Sequence, residues 1–244
     1  MKKHSFIITL TYILLLFFPK NFSGQNVDST LKASPAEINL LLYGNSDELI
    51  NGMQYIPKHP LAKGNPFYDG RSKINGTIYI KGNKYAGQVI GYDIVEQVVI
   101  LSAFQKNSAQ FEVKLNESVV DSMIVGNSLF VNAATNIIPG FDNGFLEIIY
   151  KGGVLFVAKH KKVFMSQYSS SSPNGFYTED KVEYFLIFGN EPIRVSSKKS
   201  FLKEFEPDKK EIKKFMKSIK FKFKKANKAQ WVRLLYFCDN LSSK

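Results

Sequence analysis

The sequence predicts an α+β fold: a mainly antiparallel, curled β-sheet built from hairpins as an open barrel or sandwich, followed by C-terminal amphipathic helices. Two observations predict it. From Ile74 to Val195, short runs rich in Ile, Val, Phe and Tyr are separated by Gly82-Asn83, Gly126-Asn127, Gly152-Gly153 and Gly189-Asn190, which is the pattern of tight hairpins. After Lys198, apolar residues recur at helical spacing among lysines. With 244 residues, 44% of them hydrophobic, the chain can bury a full core in one domain or two without staples.

The first element lies outside that fold. "MKKHS" carries two lysines, Phe6 to Phe18 is an apolar run, and Pro19 breaks it before the small residues Ser23 and Gly24. This order of basic, apolar and small residues predicts a secretory signal peptide over 1–24, cleaved between Asn21 and Asn26. The run falls short of the roughly 20 apolar residues of a membrane-spanning helix. The expectation is an exported protein, periplasmic or extracellular, soluble after cleavage. Cys238 is the sole cysteine, so no intrachain disulfide forms and no lipid-bearing cysteine follows the signal. Its neighbours Trp231, Leu234, Leu235 and Leu241 share its helical spacing, so a buried thiol is expected.

Residues 25–73 read as a short helix and an irregular connector. Ser34-Pro35-Ala36-Glu37 forms a capping box with proline at the first helical position, leading into "AEINLLLY". "INGMQYIPKHPLAKGNPFYDG" is then too punctuated by proline and glycine for regular structure.

Residues 74–244 hold the antiparallel β domain and the helices that pack on it over 198–241. The four hairpins are "GTIYIKGNKYAGQVIGYDI", "VVDSMIVGNSLFVNA", "FLEIIYKGGVLFVAKHKK" and "VEYFLIFGNEPIRVS", with "VEQVVILSAF" and "QFEVKL" as further strands after the first. "SQYSSSSPNGFYTED" is a long loop. Then "SKKSFLKEF" starts a helix at a serine cap, and Glu206-Pro207-Asp208 restarts a second whose Ile212, Phe215, Met216 and Ile219 form one apolar stripe. "KFKFKK" alternates with period two and reads as extended. Asn227 caps a last amphipathic helix to about Asn240.

Charge is concentrated rather than spread. Of the formal net +12, Lys198 to Lys228 contributes +9 from thirteen lysines and four acids, and Lys2, Lys3 and Lys20 supply the remainder. At 100° per residue, Lys210, Lys213, Lys214 and Lys217 lie opposite the Ile212 stripe. A solvent-facing arc of an amphipathic helix explains their position. The scarcity of acids beside them points further, to a face for an anionic partner: anionic lipid headgroups, envelope polysaccharide or an acidic protein. Nucleic acid fits poorly, since no nucleic-acid motif accompanies the lysines and Arg233 is the only arginine near them.

The remaining polar residues show no local catalytic signature. His59 and His160 have no Cys, His or carboxylate neighbour at metal-ligand spacing. "GNPFYDGRS" has the wrong spacing for a phosphate-binding loop and Arg71 where lysine is required. There is no GxSxG elbow, although a Ser-His-Asp assembly from distant positions stays open. Glu96, Glu112, Glu147 and Glu183 fall in strands and are expected mostly at solvent-facing positions of a half-exposed sheet. No catalytic, cofactor-binding or metal residue is therefore assigned.

Several stretches in order along the mature chain carry a resemblance: "LINGMQYIP", "GNPFYDG", "GTIYIKGNKYAGQVIGYDIVEQVVIL", "GFLEIIYKGGVLFVAKHKK", "VEYFLIFGNEPIRVSSKKSFLKEF" and "IKKFMKSIKFKFKKANKAQWVRLLYFCDNL". In these the chain resembles a family of uncharacterised exported proteins of Gram-negative bacteria. The resemblance implies a secreted or envelope protein and brings no activity, cofactor or site residue. Three functions remain in competition: a non-enzymatic envelope or extracellular binding protein, a periplasmic carrier of a lipid or other apolar ligand inside a curled sheet, and a hydrolase built from dispersed residues.

Overall fold

All four hairpin signals close turns in the computed structural model, which describes Leu49 and residues 52–104 and 110–242. The expected signal peptide, the Ser34–Glu37 capping box and the helix after it lie outside the described residues. Strands run β1 (Gly52–Gln54), β2 (Ile74–Ile80), β3 (Asn83–Asp93), β4 (Val98–Phe104), β5 (Gln110–Leu115), β6 (Val120–Val125) and β7 (Ser128–Asn132). They continue with β8 (Phe145–Lys151), β9 (Leu155–Lys161), β10 (Phe164–Met165), β11 (Phe176–Tyr177), β12 (Lys181–Phe188) and β13 (Glu191–Val195). Eleven form one antiparallel sheet in the order β1-β5-β4-β3-β2-β6-β7-β8-β9-β12-β13, while β10 pairs with β11. Helices α1 (Lys198–Lys203), α2 (Lys209–Ser218) and α3 (Lys228–Ser242) follow.

Turn chemistry sets the register. Gly126 and Gly189 take positive φ at the first central position of the β6–β7 and β12–β13 turns, where a glycine is favoured. In the β2–β3 hairpin the turn is Lys81-Gly82, both with positive φ, because Ile80 pairs with Asn83. It thus sits one residue before the expected Gly82-Asn83.

The sheet is open, with β1 and β13 at its two edges, and it is curled. On a flat sheet, β3 and β8 would lie about 19 Å apart, four strand spacings. Yet the Tyr92 ring on β3 lies 5.7 Å from that of Phe145 on β8, and 5.2 Å from Phe130 on β7. The inside of this curl is filled by fully buried Ile78, Ile80, Ile90, Tyr92, Leu101 and Phe130.

A second core lies where the helices cover β8, β9, β12 and β13. Trp231 on α3 is its centre: the rings of Phe156, Tyr184, Phe201, Phe221 and Phe223 surround it at 4.8 to 5.6 Å. Trp231, Leu234, Leu235 and Cys238 are buried, as their spacing predicts. Burial, with Asp239 and Asp208 nearby, pushes the Cys238 thiol up to about 12, which keeps it protonated and unreactive. A smaller cluster on the other sheet face packs Ile138 over Leu146, Val157 and Ile187.

The helix boundaries follow their caps. Ser197 and Ser200 form a reciprocal capping box before α1, and Asn227 and Gln230 do the same before α3. Helix α2 ends in a Schellman motif: Phe221 N–H donates to Met216 O at 2.8 Å and Lys220 N–H to Lys217 O at 3.1 Å, with Lys220 at φ 50°.

Two expectations need correction. "KFKFKK" is not a strand but a short coil closing in a 3-10 turn, Phe223–Lys225. Phe221 and Phe223 both turn in to reach Trp231, so the period-two burial survives without a ladder partner. The connector also contains regular structure. Residues Gly52–Gln54 pair with β5, Phe67 bridges Asp93, and Tyr68–Gly70 form a 3-10 turn. The free edge of β5, remote in sequence, supplies the hydrogen bonds that local pattern cannot reveal.

Candidate functional site

The four lysines of α2 are where helical geometry puts them. Ile212 and Met216 are buried against the second core, and Lys210, Lys213, Lys214 and Lys217 are exposed on the opposite arc. Together with Lys209 and Pro207 they line an open groove of about 490 Å³. Lys209 is held by Glu206 at 2.7 Å. None of the four has an ion pair among the described residues. The nearby Arg233 is occupied over the Phe215 ring.

A second assembly was missed by sequence reasoning. Glu147 on β8 is buried, against the expectation that strand glutamates face solvent. Phe145 and Ile149 on the same strand belong to the curl core and the helix-covered core respectively, and Glu147 lies between them where those cores meet. Its Oε2 accepts from His160 Nε2 at 2.9 Å, and its Oε1 accepts from Ser128 Oγ at 2.6 Å and Lys228 Nζ at 2.9 Å. His160 Nδ1 lies 2.6 Å from Asp180 Oδ2. The Tyr68 hydroxyl completes the chain on Ser128 Oγ at 3.0 Å.

The charges balance: Glu147 and Asp180 against His160 and Lys228. Burial pushes the His160 pKa down, but hydrogen bonds and charge from Asp180 and Glu147 outweigh it and hold the ring at about 9. Burial pushes Glu147 up, but the hydrogen bonds from His160, Ser128 and Lys228 bring it to about 2. At neutral pH His160 is thus an imidazolium donating both N–H groups. Ser128 gives its hydrogen to a carboxylate, not to His160, so these residues do not form a nucleophile-and-base pair. No cluster of three metal-ligating side chains is found among the described residues.

The other three glutamates expected in strands are half-buried, Glu112 and Glu183 on strands and Glu96 in the turn between β3 and β4. Glu96 pairs with Lys58, Glu112 approaches Lys73, and Glu183 lies between Lys161 and Arg194. His59 stacks on Phe164 with centroids 3.6 Å apart. Asp93, also buried, accepts from the backbone N–H of Val95 and Glu96 and from the Tyr55 hydroxyl, which is a turn-closing role.

His160 and Asp180 also form one wall of a polar cleft of about 510 Å³, bounded by Tyr68, Lys162, Tyr177 and Glu179. Lys162 Nζ donates to the carbonyls of Asn65 and Phe67 at 3.1 and 2.9 Å, fixing the connector over the sheet. Part of this was legible: in "LFVAKHK" His160 shares its face with Phe156 and Ala158, and in "FLEIIYK" Glu147 shares its face with Phe145. Asp180, Lys228 and Tyr68 carried no local signal.

Against known protein families, curated proteins and solved structures, the chain gives no match. Among the described residues no helix is long and apolar enough to cross a membrane.

Proposed function

We propose that this chain is an exported, non-enzymatic binding protein of the cell envelope or exterior that holds an anionic partner on the lysine face of α2. The observation that carries this is the groove of Lys210, Lys213, Lys214 and Lys217, exposed and without ion pairs among the described residues. A helix needs a polar arc to face water, but it does not need that arc to be of one sign. Lysine ammonium groups supply charge without the planar fork of arginine. They suit a dense anionic surface, lipid headgroups or envelope polysaccharide, ahead of nucleic acid; an acidic protein is the remaining partner class.

Two observations favour this over the competing readings. The curl's interior is filled by side chains, which argues against a carrier with its ligand inside the sheet. The buried His160 is held charged between two carboxylates, which argues against its service as a general base.

Retention on anionic vesicles and on envelope polysaccharide, compared between wild type and the K210Q/K213Q/K214Q/K217Q variant, is the test. We expect stronger wild-type retention at low salt, fading as the Debye length shortens from about 10 Å at 0.1 M towards about 3 Å at 1 M. Equal retention at every ionic strength would leave the lysines as a solvated face only. Export is tested separately, by N-terminal sequencing of exported material, expected to begin between Asn21 and Asn26.

A further inference from the structure

We propose that the cavity between the connector and the β10–β11 hairpin binds an organic cation, a protonated amine on a flat apolar body, independently of the lysine face. The cavity measures about 480 Å³, within the range of small-molecule sites. Three aromatic rings line it, Tyr55 from the connector and Phe164 and Tyr177 paired across the hairpin. Buried Pro66 and Val98 complete the apolar part of the lining. The Phe164 and Tyr177 rings meet edge-on at 5.5 Å and His59 stacks on Phe164, so two of the three rings are held by their neighbours. Phe67 bridges Asp93, and Ile94 N–H donates to Pro66 O at 2.9 Å, which brings the connector to the end of β3.

Asp93 defines the charge of the ligand. It is 2% exposed, lines the cavity and has no ion pair among the described residues. Its Oδ1 accepts from the backbone N–H groups of Val95 and Glu96, and its Oδ2 from the Tyr55 hydroxyl at 2.9 Å. Burial outweighs these hydrogen bonds and holds the carboxyl above its usual value. A cation beside it would relieve that cost.

The two phenols offer the matching acceptors. The Tyr55 proton is committed to Asp93, so its oxygen is left to accept. The Tyr177 hydroxyl lies toward Tyr55, Asp93 and Glu96 and has no hydrogen bond among the described residues. Acceptor oxygens backed by a buried carboxylate, among aromatic rings, complement an ammonium group.

Neither lysine of the lining already fills this role. Lys58 pairs with Glu96 at 2.7 Å, and its side chain is 66% exposed, which places it at the rim. The charge of Lys114 is felt at Glu117, and neither lysine pairs with Asp93. With the acid buried and Lys58 at the rim, the charge a ligand meets inside is negative.

The full chain would be titrated by calorimetry and saturation-transfer NMR with phenethylamine and tryptamine, both protonated at neutral pH. Phenethyl alcohol and hydrocinnamate serve as the neutral and anionic counterparts. We expect at least one amine to bind at millimolar concentration or below, with the alcohol and the acid about tenfold weaker or more. Asp93→Asn should weaken the amine about tenfold and leave the alcohol unchanged, because only the charge is removed. Tyr177→Leu, which removes a ring and a hydroxyl, should weaken the amine by about as much, and the four-lysine variant should bind it like wild type. The proposal is overturned if neither amine binds, if the alcohol or the acid binds as well, or if Asp93→Asn binds the amine like wild type. Because Asp93 also closes a turn, the melting curve of Asp93→Asn is recorded. If that variant unfolds, Tyr177→Leu decides, and wild-type affinity in it overturns the proposal.

Discussion

Lys228 Nζ meets Glu147 Oε1 at 2.9 Å, tying the first residue of α3 to the middle of β8 across 81 positions of chain. One of the thirteen lysines in the basic segment is therefore neutralised inside the fold rather than displayed. Its side chain is about 38% exposed, so Lys228→Met should cost only about 1 kcal/mol in urea unfolding. Glu147→Gln is different in kind. It leaves the His160 imidazolium with one counter-charge fewer in a site where both side chains are about 6% exposed. The expected cost is about 3–5 kcal/mol, and a loss below about 1 kcal/mol would show that the network does not hold the two cores together.

Stability should also depend on pH through this pair. His160 rises from 6.5 to about 9 on folding, so its contribution is complete below pH 6.5 and lost as pH rises through 9. Glu147 falls from 4.5 to about 2, so its contribution is complete above pH 4.5 and lost as pH falls through 2. Both are present in full between pH 4.5 and 6.5. The melting temperature should decline from pH 6.5 to 9, and His160→Gln should flatten that limb. An unchanged alkaline slope in the variant would assign the decline to other groups.

Truncating Trp231 should be among the most damaging single changes. Five aromatic rings close around it and its side chain is fully buried. Trp231→Ala should cost about 3–5 kcal/mol by calorimetry or denaturant titration. A well-folded variant with an unchanged melting temperature would make α3 an appendage.

Lys220 offers a change in the opposite direction. It occupies the left-handed C′ position of the motif that ends α2, where glycine is usual. Lys220→Gly should raise stability by about 1 kcal/mol by removing the Cβ penalty, while leaving Lys210 to Lys217 in place. A destabilised variant would indicate that the Lys220 stem packs on the helix end.

Local signals in the chain determined most of the elements. Gly82, Gly126 and Gly189 set three hairpin turns because positive φ is costly for other residues, and Gly152 in the fourth leaves room for Asp239 and Tyr150. Ser197 and Asn227 set helix starts because their side chains satisfy orphan N–H groups. The stripe of Ile212 and Met216 likewise determined which lysines face water, since helical period alone divides the two arcs. Alternation along β8 and β9 puts Glu147 on the face of Phe145 and His160 on that of Phe156, yet a strand glutamate is expected to face solvent, and the burial of Glu147 went against that expectation. What alternation cannot express is which distant residues will meet them. The curl that brings Tyr92 to Phe145, the pairing of β1 with β5, and the convergence of Tyr68, Ser128, Asp180 and Lys228 on the Glu147–His160 pair all depend on contacts between segments far apart in sequence. Only the tertiary structure decided these. A buried charge can persist only where opposite charges and donors arrive together, and their arrival is a property of the packed cores rather than of any one segment.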